Sequence, residues 1–179
     1  MAGKRSITKI LVYGSNGQLG KAISNNFRHL YNVNTLNKSQ CDITNINNVK
    51  DSIKGFSPDV VINTAAYTQV DSAEENILDA INVNATAVEN ICRVLKGSSI
   101  LFIHYSTDYV FDGTATKPYN ELSQENPINS YGMSKYMGEQ LIQNIYNNHY
   151  IFRTSWVYDD DNSKNFPNKI LKKYLEQKD

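Results

Sequence analysis

Apolar residues along this chain fall into two alternating spacings. Short runs rich in β-branched and aromatic residues predict strands over 7–13, 33–36, 59–63, 99–105 and 149–156. Between them, apolar positions recur every three to four residues and predict helices over 18–30, 45–56, 72–95, 131–147 and 165–177. In the first helix Leu19, Ile23, Phe27 and Leu30 share one side. Asp59-Val60-Val61-Ile62-Asn63, opened by Pro58, is a continuous apolar run of the kind covered on both faces of a sheet. Residues 120–129 form a polar loop that contains Pro127. Strand and helix alternate throughout, so the expected fold is α/β: a Rossmann-like, doubly wound parallel sheet with helices on both faces. No repeat, low-complexity stretch or linker divides the 179 residues, which predicts one domain over 1–179.

Sheets of this kind bind ligands outside the carboxyl ends of their strands. The chemically suggestive residues fall there: Gly14, Ala65-Ala66, Ser106-Thr107-Asp108 and Ser155-Trp156. Gly14-Ser15-Asn16-Gly17-Gln18-Leu19-Gly20 follows the first strand and opens a helix. Glycines there permit a tight turn, and the helix start offers free amides to a pyrophosphate. The bland alternative is a tight turn without a ligand. After the second strand an acidic residue would bind a ribose 2′-hydroxyl. This chain has Asn37-Lys38-Ser39 instead, and Lys38 could meet a 2′-phosphate or stay solvated, which leans the cofactor to NADPH over NADH. Asp42-Ile43 lies where such folds cover an adenine, although Asp42 could instead start the helix that follows.

Tyr131 and Lys135 lie one helical turn apart. A Lys ammonium beside a phenol would lower its pKa toward that of a working general acid. With 12 Tyr in the chain, about one Tyr-x3-Lys pair is expected by chance, and Tyr174/Lys178 repeats the spacing in a charged stretch that reads as a solvated helix face. Position in the fold has to promote Tyr131.

Bulk composition excludes more than it assigns. The 18 Lys and Arg balance the 18 Asp and Glu, so no basic surplus points to nucleic acid or a membrane surface. No apolar run reaches membrane-spanning length and no signal peptide opens the chain. Cys41 and Cys92 have neither metal nor redox spacing and read as reduced thiols of a cytoplasmic protein. His29, His104 and His149 are scattered, and His104, in an apolar strand, is expected to be packed rather than a ligand. No metal site is expected.

Several runs together resemble a known family. They are Gly14 to Gly20, the stretch from Pro58 through Ala65-Ala66-Tyr67-Thr68 to Val70-Asp71, and Ser106-Thr107-Asp108-Tyr109-Val110-Phe111-Asp112-Gly113. Tyr131-Gly132-Met133-Ser134-Lys135 with Gly138-Glu139, and Arg153-Thr154-Ser155-Trp156-Val157-Tyr158, complete the set. The chain is similar along its length to dTDP-4-dehydrorhamnose reductases of the extended short-chain dehydrogenase/reductase superfamily. The resemblance implies reduction of the C4 keto group of dTDP-4-dehydro-β-L-rhamnose by NADPH or NADH, a step in dTDP-rhamnose and polysaccharide biosynthesis. It implies Tyr131 as proton donor, Lys135 as its partner on the nicotinamide ribose, and Thr107 as a hydrogen-bond donor to the sugar carbonyl. Gly14, Gly17, Gln18, Leu19, Gly20, Asp42, Ile43, Ala65 and Ala66 would contact the cofactor along with that pair. Thr68, Val70, Asp108, Tyr109 and Trp156 would line the sugar side. Asn84 would organise the site through backbone or water contacts.

Local readings compete with some of these roles. Trp156 could be strand-end core, Thr68 and Asp71 a helix cap, Tyr109 packing, and Asp112-Gly113 a turn. Judged against the family, roughly a hundred further residues would complete the substrate-binding lobe. In the family that lobe also contributes to the dimer and carries acidic residues that can hold Mg2+. Its lack would leave apolar surface prone to self-association and would weaken turnover. Two other readings remain open: a non-catalytic relative of the methionine adenosyltransferase regulatory subunit, and an inactive product of a split gene. Other nucleotide-sugar epimerases and dehydratases share the glycine turn and the Tyr-Lys spacing but not the run from Arg153 to Tyr158.

Overall fold

The structure is a computed structural model that describes residues 8–158 and 166–176. Its strands are β1 (Lys9–Tyr13), β2 (Asn32–Leu36), β3 (Val60–Asn63), β4 (Leu101–Thr107) and β5 (His149–Thr154). They form one parallel sheet in the order β2-β1-β3-β4-β5. The helices are α1 (Gln18–Phe27), α2 (Ile46–Phe56), α3 (Val70–Glu75), α4 (Ile77–Ile81), α5 (Ala87–Leu95), α6 (Ser130–Ile145) and α7 (Phe166–Glu176).

Side-chain alternation in the strands separates two cores. Leu11 and Tyr13 of β1, Val61 of β3 and Phe102 of β4 face the larger core, with Val49 and Ile53 of α2, Ile91 and Leu95 of α5 and Ile142 of α6. Ile10 and Val12 of β1 and Ile62 of β3 face the smaller one, with Ile23 of α1. Each such side chain, fully buried, contributes about 1.5–3 kcal/mol. The central run of β3 is thus covered on both faces, as its unbroken apolarity predicts.

Several expected elements differ from those observed, and the strand expected over 99–105 runs Leu101–Thr107, so Ser106 and Thr107 end that strand instead of following it. The helix expected over 18–30 ends at Phe27, because the amides of Leu30 and Tyr31 both turn back to the Phe27 carbonyl and feed β2; Leu30 is exposed. The helix expected over 72–95 is broken at Asn76, whose backbone leaves the helical region, and it is widened to a π turn over Asn82–Thr86. The strand expected over 149–156 stops at Thr154, and Trp156 adopts φ +49°. Ile7, Asn165, Gln177 and Lys178 lie outside the described residues. Among the described residues no helix is long and apolar enough to cross a membrane, and no cluster of His, Cys, Asp and Glu has the grouping of a metal site.

Candidate active site

The strand ends open onto a cavity of about 810 Å³. Its first wall is the glycine turn. Gly14 has φ +84°, and a Cβ there would come within 2.5 Å of the Ala65 amide nitrogen, so this turn and the end of β3 can meet only at glycine. Gly17 is the N-cap of α1 and offers no side-chain hydrogen bond, and no acidic residue occupies the first turn. The helix therefore presents its positive end and its first-turn amides to the cavity. That donor set fits a pyrophosphate. Gly14, Gly17, Gln18 and Leu19 line this wall, whereas Gly20 is buried in α1 and does not reach it.

A second wall holds Lys38, Asp42 and Ile43, and a third holds Ala65 and Ala66. Asp42 does not cap α2, because Asn45 does so by accepting from the Asn47 amide. Asp42 Oδ1 instead accepts from the Thr44 amide at 3.0 Å and its hydroxyl at 2.7 Å. Hydrogen bonding by that hydroxyl lowers its carboxyl pKa.

Tyr131 and Lys135 form the fourth wall. Asn129 caps α6 by accepting from the Gly132 amide at 2.7 Å, which sets Tyr131 in the first turn. Glu74 of α3 clamps the same helix start by accepting from the Ser130 amide and hydroxyl, at 2.9 and 2.7 Å. Lys135 is buried, and its Nζ donates to the Tyr105 carbonyl at 2.6 Å and lies 3.2 Å from His104 Nε2. Burial lowers the Lys135 pKa to about 8, against a rise from Glu139.

The electrostatic expectation for Tyr131 is corrected. Burial raises its pKa, a hydrogen bond with Thr107 pulls it down, and Asp108 and Tyr109 raise it further. The Lys135 amine instead donates to the Tyr105 carbonyl and lies against His104. Tyr131 is thereby kept protonated at neutral pH, which suits a group that gives a proton away.

A second cavity of about 280 Å³ adjoins the first, and Tyr131, Ser106, Thr68, Thr154 and Val157 line both. Thr68, Val70, Thr107, Asp108, Tyr109 and Trp156, drawn from different stretches of sequence, all meet here. Thr107 sits at the end of β4, where its hydroxyl accepts from the Tyr109 amide at 3.2 Å and donates to Asp108 Oδ1 at 3.2 Å. The rings of Tyr109 and Tyr131 meet edge to face with centroids 5.8 Å apart. Trp156 is 64 % exposed, so it is not strand-end core, and its ring contacts Phe166 at 4.7 Å. Its left-handed backbone is unusual for a bulky residue. Thr68 and Asp71 do not cap a helix: the N-cap of α3 is Gln69, without a side-chain hydrogen bond. Asp112-Gly113 is a turn, with Gly113 at φ +75°, and Asp112 also gathers bonds from Thr114, Tyr119 and Asn126 that hold its pKa far below the carboxylate range.

Behind these walls, Asn84 in the π turn accepts from the Tyr67 amide at 2.9 Å and donates to the Tyr67 carbonyl at 3.0 Å and to Ser134 Oγ at 2.9 Å. Gly138 lets α6 approach, because a Cβ there would run into the Asn84 carbonyl oxygen. Arg153 of β5 donates to buried Glu139 of α6, with its closest contact at 2.6 Å, and also pairs with Glu125 of the loop.

Two residues of this site have no role assigned from the sequence. Ser106 lies between the cavities with its Oγ buried and without a hydrogen-bond partner among the described residues. His104 is packed, as expected, but touches Lys135. A signal exists: both are polar residues two apart on one face of an apolar strand.

Comparison with known proteins agrees with this fold. Residues 8–179 match the model of the RmlD substrate binding domain family. The chain is 40 % identical over 164 residues to a dTDP-4-dehydrorhamnose reductase of Burkholderia thailandensis, covering 92 % of this chain and 55 % of that protein. It is 36 % identical to the spore coat polysaccharide biosynthesis protein SpsK of Bacillus subtilis, over 93 % of this chain and 59 % of SpsK. Among solved structures, a Bacillus anthracis dTDP-4-dehydrorhamnose reductase in complex with NADP superposes with TM-score 0.91 at 34 % identity, covering 96 % of this chain and 61 % of its own. The Bordetella bronchiseptica enzyme WbmG in complex with NAD, at 16 % identity and TM-score 0.85, shares the fold. The chain spans about half the length of the curated relatives it matches. With a family match along nearly all of its length, the chain belongs to the RmlD substrate binding domain family.

Proposed function

We propose that this chain is the cofactor-binding and proton-delivering part of a dTDP-4-dehydrorhamnose reductase, using NADPH in preference to NADH. The observation that carries the reading is that Tyr131 is shared by the two adjoining cavities, with Thr107 beside it in the smaller one. The larger cavity has the amide-rich wall a dinucleotide needs, and the smaller collects the polar and aromatic groups suited to a sugar. Bound NADPH would supply the hydride to the sugar's C4. Tyr131 would pass its phenolic proton to the carbonyl oxygen, and the Thr107 hydroxyl would polarise that carbonyl. Ser106 Oγ would donate to whichever ligand reaches the junction, ending its isolation. Lys38 on the cavity wall, together with the NADP complex of the Bacillus anthracis relative, supports NADPH.

The reading extends to solution behaviour. Tyr105, Phe152 and Tyr150 form a stacked aromatic strip on β4 and β5, and Tyr150 and Phe152 are 60 % and 47 % exposed. Burial of this strip against a second copy of the chain is the expected consequence.

The test is NADPH oxidation driven by dTDP-4-dehydrorhamnose, beside the Tyr131→Phe variant. Loss of the phenolic proton should slow turnover by about 10²–10⁴-fold while NADPH still binds. Turnover unchanged in Tyr131→Phe would remove Tyr131 from the chemistry.

A further inference from the structure

Lys135 ends a buried chain of hydrogen bonds that runs to the cofactor wall. Its Nζ is 3.2 Å from His104 Nε2, and His104 Nδ1 is 3.2 Å from Asn63 Nδ2. Asn63 Oδ1 in turn accepts from the Ala65 amide at 3.1 Å. Lys135, His104 and Asn63 are all buried, so no solvent relieves a mismatch among them. A mismatch is built in. Burial, and then the neighbouring Lys135, keep the His104 pKa well below its usual value, so the ring is neutral and carries one N–H.

The Ala65 amide fixes the direction of the rest. It requires the oxygen of Asn63 on its side, which turns the Asn63 NH₂ toward His104. Nδ1 must then accept, and the ring proton sits on Nε2, aimed at Lys135. An ammonium has no lone pair to receive it, whereas a neutral amine has one. For Lys135 to be an ammonium donating to Nε2, the ring proton must move to Nδ1 and Asn63 must turn over. That releases the Ala65 amide at the wall of the larger cavity.

We propose that His104 is a positioning residue that ties the proton on Lys135 to the orientation of Asn63, and through it to the amide of Ala65, a residue on the wall of the larger cavity. In the basic form the amine is neutral, His104 is the Nε2–H tautomer and the Ala65 amide is held by Asn63. In the acidic form the amine is an ammonium, His104 is the Nδ1–H tautomer and the Ala65 amide is free to donate to a ligand. The titratable groups around the amine are Tyr131 and Glu139 on its own helix and His104 on β4, with Arg153 of β5 beyond Glu139. The tautomer change rests on the hydrogen-bond geometry with a neutral buried ring, and only the cofactor link rests on the nicotinamide reading above.

The experiment is imidazole ¹⁵N NMR of the full chain across neutral to alkaline pH, with the His104 signals assigned by their loss in His104→Gln. The expected result is a change from the Nδ1–H to the Nε2–H tautomer as pH rises through the titration of Lys135, near pH 8. One tautomer at both ends of the range overturns the proposal. Asn63→Asp supplies a carboxylate that accepts from both the Ala65 amide and Nδ1–H, so this variant should stay in the Nδ1–H form throughout. If it switches like the parent, Asn63 is not the link. NADPH affinity, followed by its fluorescence, should weaken several-fold across the same transition in the parent and stay level in Asn63→Asp. Equal affinity on both sides of a tautomer change overturns the cofactor link. Failure of NADPH to bind at all counts against the proposed function, and the tautomer measurement then decides this inference by itself.

Discussion

Lys135 illustrates at the scale of one residue how a candidate catalytic site is held against its own stability. Burial drops its pKa from 10.5 to about 8, with Glu139 opposing. The unfolded chain therefore binds that proton more readily than the folded one. At pH 7 the difference costs the fold on the order of 3 kcal/mol, and the cost fades as pH rises from about 8 through 10.5. Lys135→Met keeps the bulk and removes the charge. Thermal unfolding of this variant at pH 7 should show a gain of about 1–3 kcal/mol, reduced by the missing hydrogen bonds to Tyr105 and His104. The gain should shrink toward nothing near pH 10.5, while the proposed reductase turnover should be lost. A variant less stable than the parent at pH 7 would mean that the ammonium holds the site together. The residue types at this site were legible in the sequence, because Tyr131, Lys135 and Thr107 stand in recognisable runs. The hydrogen-bond direction at His104 was not, since Lys135 and Asn63, 31 residues after it and 41 before it in the chain, meet it only across the sheet.

Elements place those residues through two couplings that hydrophobic spacing does not encode. One is the π turn over Asn82–Thr86, which interrupts what reads as a single helix over 72–95. Apolar periodicity survives a one-residue widening, so the pattern continues through a break in hydrogen bonding that it cannot report. The widening coincides with Asn84, whose carboxamide holds both backbone groups of Tyr67 and reaches Ser134 on α6. Asn84 thereby fixes the segment of Tyr67 and Thr68, which lines the larger cavity, to the helix that carries Tyr131. Asn84→Ala strands the partners of a buried carboxamide and should cost about 2–4 kcal/mol in chemical denaturation. NADPH affinity should fall with it. Asn84→Asp, which can still accept from the Tyr67 amide, should recover part of both losses. Equal damage from Ala and Asp would show that bulk, not hydrogen bonding, is what the position requires. The other coupling is Arg153–Glu139, which ties β5 to α6. Both residues lie in recognisable runs of the sequence, but the pairing of an edge-strand cation with a helix carboxylate emerges only from the register of β5 on β4.

For the molecule as a whole, the uneven covering of the sheet is the main physical consequence. One face is filled by α2, α5 and α6. On the other, α1 covers β1 and β3 and Tyr105 packs partly against that core, but Phe152 and Tyr150 farther along stand exposed. β5 is one of the two edge strands, and α7 exposes Phe166, Ile170, Leu171, Tyr174 and Leu175 as well. Under the self-association reading, pairing two copies of the chain takes Tyr150 and Phe152 out of water at about 25 cal/mol per Å² of apolar surface buried. The alternation of residues in β5 predicts which positions matter: Tyr150 and Phe152 share the open face, while Ile151 packs against the covered core. Replacing Tyr150 and Phe152 together by Ser should therefore shift the chain toward monomer in light scattering coupled to size exclusion. Its unfolding midpoint at low concentration should change little, because the residues replaced are exposed. If the parent is already monomeric at concentrations well above micromolar, the strip is tolerated in water and the self-association reading fails. If the double variant associates as strongly as the parent, the contact lies elsewhere, and the apolar face of α7 is the next surface to alter.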